Sequence, residues 1–152
     1  MIHLEGEQRI SQRKELVWSQ LTNPSSMAKC IPGLEQIDYV DEQSVKGKVK
    51  LAVSFIKGTM TTHVKLHDLI PTSSMRMTAH SEGVGSSVDL EVTVELTENN
   101  EATHLRWATD VRLGGLLGRV SEGLLTKAAD QLVKDTFERV KKQIEETQAT
   151  AT

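Results

Sequence analysis

The C-terminal third of the chain carries the pattern of one long amphipathic helix. Between Gly114 and about Glu146, apolar residues recur at steps of three or four, with one step of five, and most charged residues fall between them. That spacing is the period of one helical face. No proline interrupts the stretch, and at about 1.5 Å per residue the helix would be roughly 50 Å long. A helix of that length crosses a small domain, so the rest of the chain has to be built around it.

The two halves of this predicted helix differ in side-chain size. The first half is rich in small residues and the second in bulky ones such as Leu132 and Phe137. Each glycine inside a helix costs about 1 kcal/mol relative to alanine. The small residues either let the helix pack closely on a strand or leave a cavity beneath its first half, and the sequence leaves both explanations open. The small residues are Gly114, Gly115, Gly118, Gly123, Ala128 and Ala129.

The preceding chain alternates apolar and polar residues, as half-buried strands do. One such segment, Ile2 to Ile10, is followed by two short helices that meet at Asn23-Pro24. Six further strands are predicted between Leu34 and Arg112, with turns at Lys57-Gly58, Pro71 to Ser73, Gly83 to Gly85 and Glu98 to Asn100. Consecutive hairpins form an antiparallel sheet with one apolar face, and only the C-terminal helix is long enough to cover it. We therefore predict an α+β fold in which a curved seven-stranded sheet grips one long helix.

Composition narrows the classes of function. The net charge is −3 and the pI about 6.0, so no basic field for nucleic acid is present. Cys30 is the single cysteine and cannot form an internal disulfide, which fits a reducing compartment.

The first five residues lack the basic start and apolar run of a signal peptide, and no stretch has the ~18 apolar residues of a membrane span. We expect one domain over residues 1–146, a disordered tail at 147–152, and a cytoplasmic protein that is at most peripheral to a membrane.

The strand phases also bear on catalysis. The inward positions carry apolar or hydroxyl side chains, whereas all five histidines lie on the outward phase. A zinc site from His63, His67 and His80 is the alternative to exposed histidines, because His63 and His67 share a face. Cys30 is interpreted as a buried small residue, since a nucleophile needs a nearby base. We predict no catalytic residue, no metal and no cofactor.

The inward phase instead suits a cavity for a flexible apolar ligand. Methionines at inward positions adapt to irregular apolar shapes, and a pocket with few polar groups is the usual form of a small-molecule site. The predicted ligand-binding residues are Leu51, Phe55, Met60, Met77, Trp107, Leu116, Leu117 and Val120. The predicted pocket mouth consists of Leu113, Gly114, Gly115, Gly118 and Arg119, where Arg119 either binds an anionic group or pairs with Glu122.

Three segments give the chain a resemblance to a known family. They are the segment from Asn23-Pro24 through Met27-Ala28-Lys29-Cys30-Ile31-Pro32-Gly33-Leu34, the segment Val53-Ser54-Phe55-Ile56-Lys57-Gly58-Thr59, and the segment Gly114-Gly115-Leu116-Leu117-Gly118-Arg119. With them the chain resembles the carbon monoxide dehydrogenase CoxG family of the START-like, or Bet v 1-like, helix-grip superfamily (SRPBCC), over about residues 2–146. The resemblance implies a hydrophobic ligand pocket, an accessory role beside molybdenum hydroxylases of the carbon monoxide dehydrogenase type, and a link to the membrane or its quinones.

Three hypotheses follow for the function. The first is a non-catalytic binder or carrier of a hydrophobic small molecule, such as a lipid or a quinone, that serves a carbon monoxide dehydrogenase-like enzyme. The second is a START-like cyclase or hydrolase, which requires an ionisable side chain facing the cavity. The third is an assembly or membrane-recruitment protein without a ligand, which predicts a collapsed pocket and an exposed apolar patch.

Overall fold

A computed structural model of the chain describes residues 1–53 and 55–151, with side chains described up to residue 146. It contains seven strands and three α-helices in the predicted order. The strands are β1 (Ile2–Ile10), β2 (Leu34–Val40), β3 (Ser44–Val53), β4 (Ile56–Ile70), β5 (Ser74–Gly83), β6 (Ser86–Asn99) and β7 (Ala102–Gly115). The helices are α1 (Lys14–Leu21), α2 (Pro24–Ala28) and α3 (Glu122–Ala151), with a 3-10 turn at Leu116–Arg119 between β7 and α3.

The strands form one antiparallel sheet in the order β1-β7-β6-β5-β4-β3-β2. From β2 to β7 the strands pair in chain order, and β1 closes the far side by pairing with β7, with Ile2 opposite Val111 and Ile10 opposite Thr103. Two of the hairpins turn on residue pairs with positive φ, Val84-Gly85 and Asn100-Glu101, as a two-residue turn that matches the strand twist requires. The sheet therefore follows from local alternation and short turns, as predicted.

The convex face of the sheet is polar and the concave face carries the core. One cluster of buried residues joins the centre of the sheet to α1 and to the second half of α3 through Ile10, Leu105 and Val140. A second cluster lies at the other end of the sheet, where Leu117, Val120 and Leu125 pack on the ends of the strands. The long helix thus covers the concave face, and the prediction of an α+β helix-grip fold with two short helices after β1 is confirmed.

The predicted start of the long helix was wrong. Gly114 and Gly115 end β7, a 3-10 turn follows, and α3 begins at Glu122. Gly115 has a φ of 67°, and the next amide, that of Leu116, donates to the Gly85 carbonyl at 3.0 Å, so the backbone turns away from β7 here. Ser121 then caps α3, because its Oγ accepts a hydrogen bond from the amide of Leu124 at 3.4 Å.

One predicted turn is also displaced. Lys57 and Gly58 lie inside β4, and the β3–β4 hairpin turns between Val53 and Ile56, which face each other across the two strands. Glycine is needed at position 58 because the β4 backbone lies close to the side chain of Val84 in the neighbouring turn, where a Cβ would collide with it. Residues 147–151 of the predicted tail are included in α3, but the structure describes no side chain of residues 147–152. The disorder of the tail stays a prediction.

Candidate functional site

A cavity of about 600 Å³ lies between the concave face of the sheet and the helices. Its volume is within the range of small-molecule sites in proteins, about 300–1,000 Å³. The cavity exists because the sheet curves away from α3. The helix packs directly on the β1 side of the sheet, and a gap remains between the helix and the concave surface of β3 to β6. Bulky side chains at the two ends, in the two core clusters, hold the sheet and the helix apart.

The sheet supplies most of the cavity wall, and it does so with the inward phase of five strands. These residues are almost all aliphatic or methionine, as the alternation predicted. They are Val45, Val49, Leu51 and Val53 of β3; Met60, Thr62, Val64 and Leu66 of β4; Met75, Met77, Ala79 and Ser81 of β5; Val88, Leu90, Val92 and Val94 of β6; and Thr109 of β7.

The opposite wall comes from the helices. The middle of α3 faces the sheet with Ala128, Val133 and Phe137, and the α1–α2 region closes one side. The contribution of α3 thus comes from residues 128–137. Of the small residues in the predicted first half of the helix, Ala128 borders the described cavity, and the four glycines do not. The α1–α2 residues of the wall are Leu21, Pro24, Met27 and Ala28.

The exposed residues of the wall mark the mouth of the cavity. Most of them lie on the loop after α2, on the end of β3 that extends beyond β2, and on α3, and one lies in the β2–β3 turn: Gly33, Lys50, Ala52, Gln131, Leu132 and, in the turn, Gln43. The loop is fixed to β3, because the amide of Lys50 donates to the carbonyl of Gly33 at 2.8 Å. The mouth therefore opens between β3 and the middle of α3.

The charges of the wall are confined to the mouth. In the wall that the structure describes, Lys50 and Asp135 are the ionisable side chains. Lys50 is exposed, and Asp135 is partly exposed and forms an ion pair with Arg139 at 3.4 Å. The inner wall consequently offers an uncharged environment, which favours an apolar or neutral occupant.

Three buried polar side chains belong to the described wall, and two of them are paired within the protein. Ser44 donates to Asp41 at 2.9 Å, and the hydroxyls of Thr62 and Ser81 are 2.7 Å apart. Thr109 differs from both: it is 1% exposed, and its Oγ1 has no hydrogen-bond partner among the described residues.

The structure brings three of the predicted ligand-binding residues together at the cavity, namely Leu51, Met60 and Met77. Phe55 does not lie there. It sits at the tip of the β3–β4 hairpin with 71% of its surface exposed, because the strand ends at Val53 and the alternation stops before it. The ligand-binding role of Leu51, Met60 and Met77 stays a prediction.

Trp107 is on the inward phase but lies behind the wall. Its ring stacks on Phe137 with centroids 4.9 Å apart and planes 3° from parallel. Gly6, its partner on β1, makes room for the ring, since a Cβ at this position would collide with the indole. Trp107 therefore supports Phe137, and Phe137 is the aromatic side chain that borders the described cavity.

The remaining predicted ligand-binding residues lie at or beside the second core cluster and are not part of the described cavity wall. Leu117 and Val120 are buried in that cluster, and Leu116 is 36% exposed beside Gly85. The five residues predicted for the mouth, Leu113, Gly114, Gly115, Gly118 and Arg119, are likewise absent from the wall that the structure describes. The cause is the helix start: once Gly114 and Gly115 belong to β7, the segment caps the end of the sheet. Arg119 is exposed, and within the described part of the chain it forms no ion pair with Glu122.

Sequence reasoning missed the residues of the actual mouth. The Ile31-Pro32-Gly33 segment borders the cavity because Gly33 is hydrogen-bonded to Lys50 of β3, a contact that the sequence of the segment does not reveal. Leu132 offered a signal: it is a large apolar residue beside the buried stripe of α3, and it is 48% exposed at the mouth.

Cys30 is buried, as expected of a small core residue. Burial raises the pKa of its thiol to about 11. The sulfur lies 3.7 Å from the Ser26 carbonyl and 3.5 Å from Oε1 of Gln143, so the thiol joins the end of α2 to α3. A thiol with so high a pKa is a poor nucleophile at neutral pH.

Two histidines on the convex face are each held between two carboxylates. His3 contacts Asp110 at 2.7 Å and Glu5 at 2.8 Å, and His80 contacts Asp89 at 2.6 Å and Glu82 at 2.8 Å. These hydrogen bonds raise the pKa of both imidazoles. Among the described residues, no group of three or more histidine, cysteine or acidic side chains is arranged to hold a metal ion.

The fold and the cavity define a helix-grip protein of the START-like class. Residues 6–145 match the model of the CoxG family, which comprises the G subunits of carbon monoxide dehydrogenase. The chain belongs to this family. No protein of curated function matches the sequence.

Solved structures share this fold. A conserved protein from Geobacillus kaustophilus is 25% identical, with a TM-score of 0.85 over 96% of this chain and 97% of that one. A protein from Chromobacterium violaceum is 14% identical, with a TM-score of 0.69 over 94% and 96%. The Zhui aromatase/cyclase from Streptomyces sp. R1128 is 15% identical, with a TM-score of 0.68 over 94% and 93%. At such identities the last two show the fold alone. No helix in the described part of the chain is long and apolar enough to cross a membrane.

Proposed function

We propose that the protein binds a hydrophobic small molecule, a lipid or a quinone-like compound, in the cavity between the sheet and α3, and that it carries this molecule without chemically changing it. The observation that supports this most directly is the cavity of about 600 Å³ with an aliphatic and methionine wall. An empty apolar space of this size costs stability, since its wall has lost contacts on one side. A fold that keeps such a space open gains from a ligand that fills it.

The arrangement of charge supports a binder over an enzyme. Acid–base catalysis requires an ionisable group within hydrogen-bonding reach of the substrate. In the described wall only Lys50 and Asp135 ionise, and both lie at the mouth. The likeness to an aromatase/cyclase concerns the fold, because its identity is 15%. An assembly protein without a ligand would have a collapsed pocket, which the open cavity does not favour.

Membership of the CoxG family suggests which enzyme the protein assists. The family is described as a subunit of carbon monoxide dehydrogenase. We assign to this chain an accessory role beside a molybdenum hydroxylase of that type. Co-purification of the tagged protein from a host that makes such an enzyme tests this part, and recovery of the protein without any component of the enzyme would contradict it.

Uptake of diphenylhexatriene, a hydrocarbon that fluoresces in apolar surroundings, tests the ligand site. Ala79 lies on the cavity wall and Ala108 lies on the opposite face of the sheet, so Ala79→Phe and Ala108→Phe form a matched pair. We expect the wild type and Ala108→Phe to enhance the fluorescence of the probe with saturation, and Ala79→Phe to lose at least about ten-fold in affinity. Equal uptake by the two variants would refute the location of the site.

A further inference from the structure

Thr109 is a buried hydroxyl of the cavity wall that lacks a partner among the described residues. The residue is 1% exposed, and Oγ1 makes no hydrogen bond to any residue that the structure describes. Its neighbours along β7, Trp107 and Val111, are both buried on the same face, so the side chain belongs to the concave surface. Buried hydroxyls are normally paired, and an unpaired one calls for a physical explanation.

The other buried hydroxyls among the described residues show what is unusual about Thr109, because each of them is paired. Thr62 pairs with Ser81, Ser44 donates to Asp41, and Thr103 donates to the carbonyl of Gln12 at 2.7 Å. The hydroxyl of Ser86 accepts a hydrogen bond from the amide of Leu117 at 3.2 Å. Valine has nearly the shape of threonine and would fill the position of Thr109 without loss of hydrogen bonding. The Thr109 hydroxyl costs stability in the ligand-free protein. Its presence is explained if an atom of the ligand forms a hydrogen bond with it.

The position of Thr109 determines where in the cavity this polar atom of the ligand would lie. In the described wall, Thr109 is the residue contributed by β7, whereas the mouth lies at β3. Four strand spacings separate β7 from β3, which is about 19 Å along the sheet. Thr109 therefore marks the inner end of the cavity, opposite the mouth.

The size and charge of the cavity set the class of ligand. A volume of about 600 Å³ equals the liquid volume of about 20 water molecules, and so accommodates a single chain or ring system of about 20 non-hydrogen atoms. The ionisable residues Lys50 and Asp135 are both at the mouth, and an unpaired charge at the inner end would be strongly disfavoured. The polar atom at Thr109 is consequently neutral.

We infer that Thr109 is the specificity-determining residue of the ligand site, and that the ligand is a single-chain neutral molecule whose carbonyl or hydroxyl oxygen enters first and hydrogen-bonds to the Thr109 hydroxyl. This inference rests on the proposed function, since it names the ligand class of the same cavity. It excludes two-chain phospholipids, which are too large and carry a charged group.

A pair of compounds that differ by one carbonyl tests the inference. Dodecanophenone and dodecylbenzene share a skeleton, and each is titrated against bound diphenylhexatriene in the wild type, Thr109→Val and Thr109→Ser. We expect the wild type to prefer the ketone. Thr109→Val should lose about five-fold in affinity for the ketone and stay within about two-fold for the hydrocarbon, since one neutral hydrogen bond is lost. Thr109→Ser should keep the preference.

Thermal unfolding of the ligand-free variants gives a second measurement with its own control. Thr109→Val should raise the Tm by about 2–4 °C, because an unpaired buried hydroxyl is removed. Thr103→Val should lower it by a similar amount, because that hydroxyl is paired to Gln12. A fall in Tm for Thr109→Val would overturn the inference, since it would show that the hydroxyl is satisfied within the fold.

The outcomes separate this inference from the proposed function. If the wild type binds dodecylbenzene and the ketone equally, or if Thr109→Val keeps the ketone preference, the inference fails and the hydrophobic site stands. If the wild type binds neither compound and takes up no diphenylhexatriene, the proposed function fails, and the inference fails with it.

Discussion

Filling the cavity from its own wall should stabilise the protein. Ala79 of β5 lies on the concave face between Val64 of β4 and Leu90 of β6, and all three border the cavity. Ala79→Leu adds three carbons that enter empty apolar space without displacing other side chains. At about 0.8 kcal/mol for each buried methylene, the free energy of unfolding should rise by about 2 kcal/mol. For a chain of this length, that corresponds to an increase in Tm of about 4–8 °C.

The same substitution should weaken ligand binding. If each added carbon takes about the volume of one water, leucine removes roughly 90 Å³ of a cavity of about 600 Å³. Stability and affinity should thus change in opposite directions, whereas a substitution that disrupts the core would lower both.

Differential scanning calorimetry and probe titration on ligand-free protein measure the two effects. Ala108→Leu adds the same three carbons to the convex face and should change the Tm by less than about 2 °C. A lower Tm for Ala79→Leu would refute the reasoning, because it would mean that the space beside Ala79 is already filled and that leucine overpacks it.

Three further predictions concern residues outside the cavity wall. Gly6→Ala should destabilise the protein by about 1–3 kcal/mol in chemical denaturation, because its Cβ would displace the ring of Trp107; an unchanged midpoint would contradict the contact. Cys30 should resist alkylation by iodoacetamide at pH 8 in the folded protein and react in denaturant, because its pKa is raised to about 11; rapid labelling of native protein would contradict its burial. His3 and His80 should titrate above their ordinary pKa of 6.5 in NMR. A raised pKa in the folded state stabilises the protein below pH 6.5, and this contribution is lost as the pH rises through the pKa of the folded state. The Tm of the wild type should therefore fall between pH 6 and pH 9. Replacing both histidines by glutamine should make this fall smaller. Chemical shifts that titrate at or below 6.5 would contradict the carboxylate pairs.

Local patterns were sufficient to predict the sheet and its inward face. Each strand is half-buried, so its alternation is visible in the sequence, and Leu51, Met60 and Met77 fall on the cavity wall by that rule alone. The rule fails where a strand ends. Phe55 fits the alternation of β3 but lies at the tip of the hairpin, since the chain turns between Val53 and Ile56 and not at Lys57-Gly58.

The start of the long helix could not be predicted, because the turn before the helix and the helix itself have the same spacing of apolar residues. Leu117, Val120 and Leu124 are spaced as a helical face, yet Leu117 lies in a 3-10 turn and Val120 has extended backbone. What ends β7 there is a hydrogen bond from Leu116 to Gly85, a contact between distant parts of the chain. The residues predicted for the mouth belong to this segment, so they do not border the described cavity.

The partner of a hydroxyl is also a long-range property. Thr62 and Thr109 have the same inward phase and the same residue type. Only the folded structure distinguishes Thr62, which pairs with Ser81, from Thr109, which pairs with no described residue.

The cavity should take up one hydrophobic molecule, and native mass spectrometry measures this uptake. Wild-type protein and Ala79→Phe are incubated with dodecanophenone in detergent-free buffer and sprayed under gentle conditions. We expect a one-to-one complex for the wild type and a largely ligand-free mass for Ala79→Phe. A ligand-free mass for the wild type, or the same complex in both proteins, would contradict it.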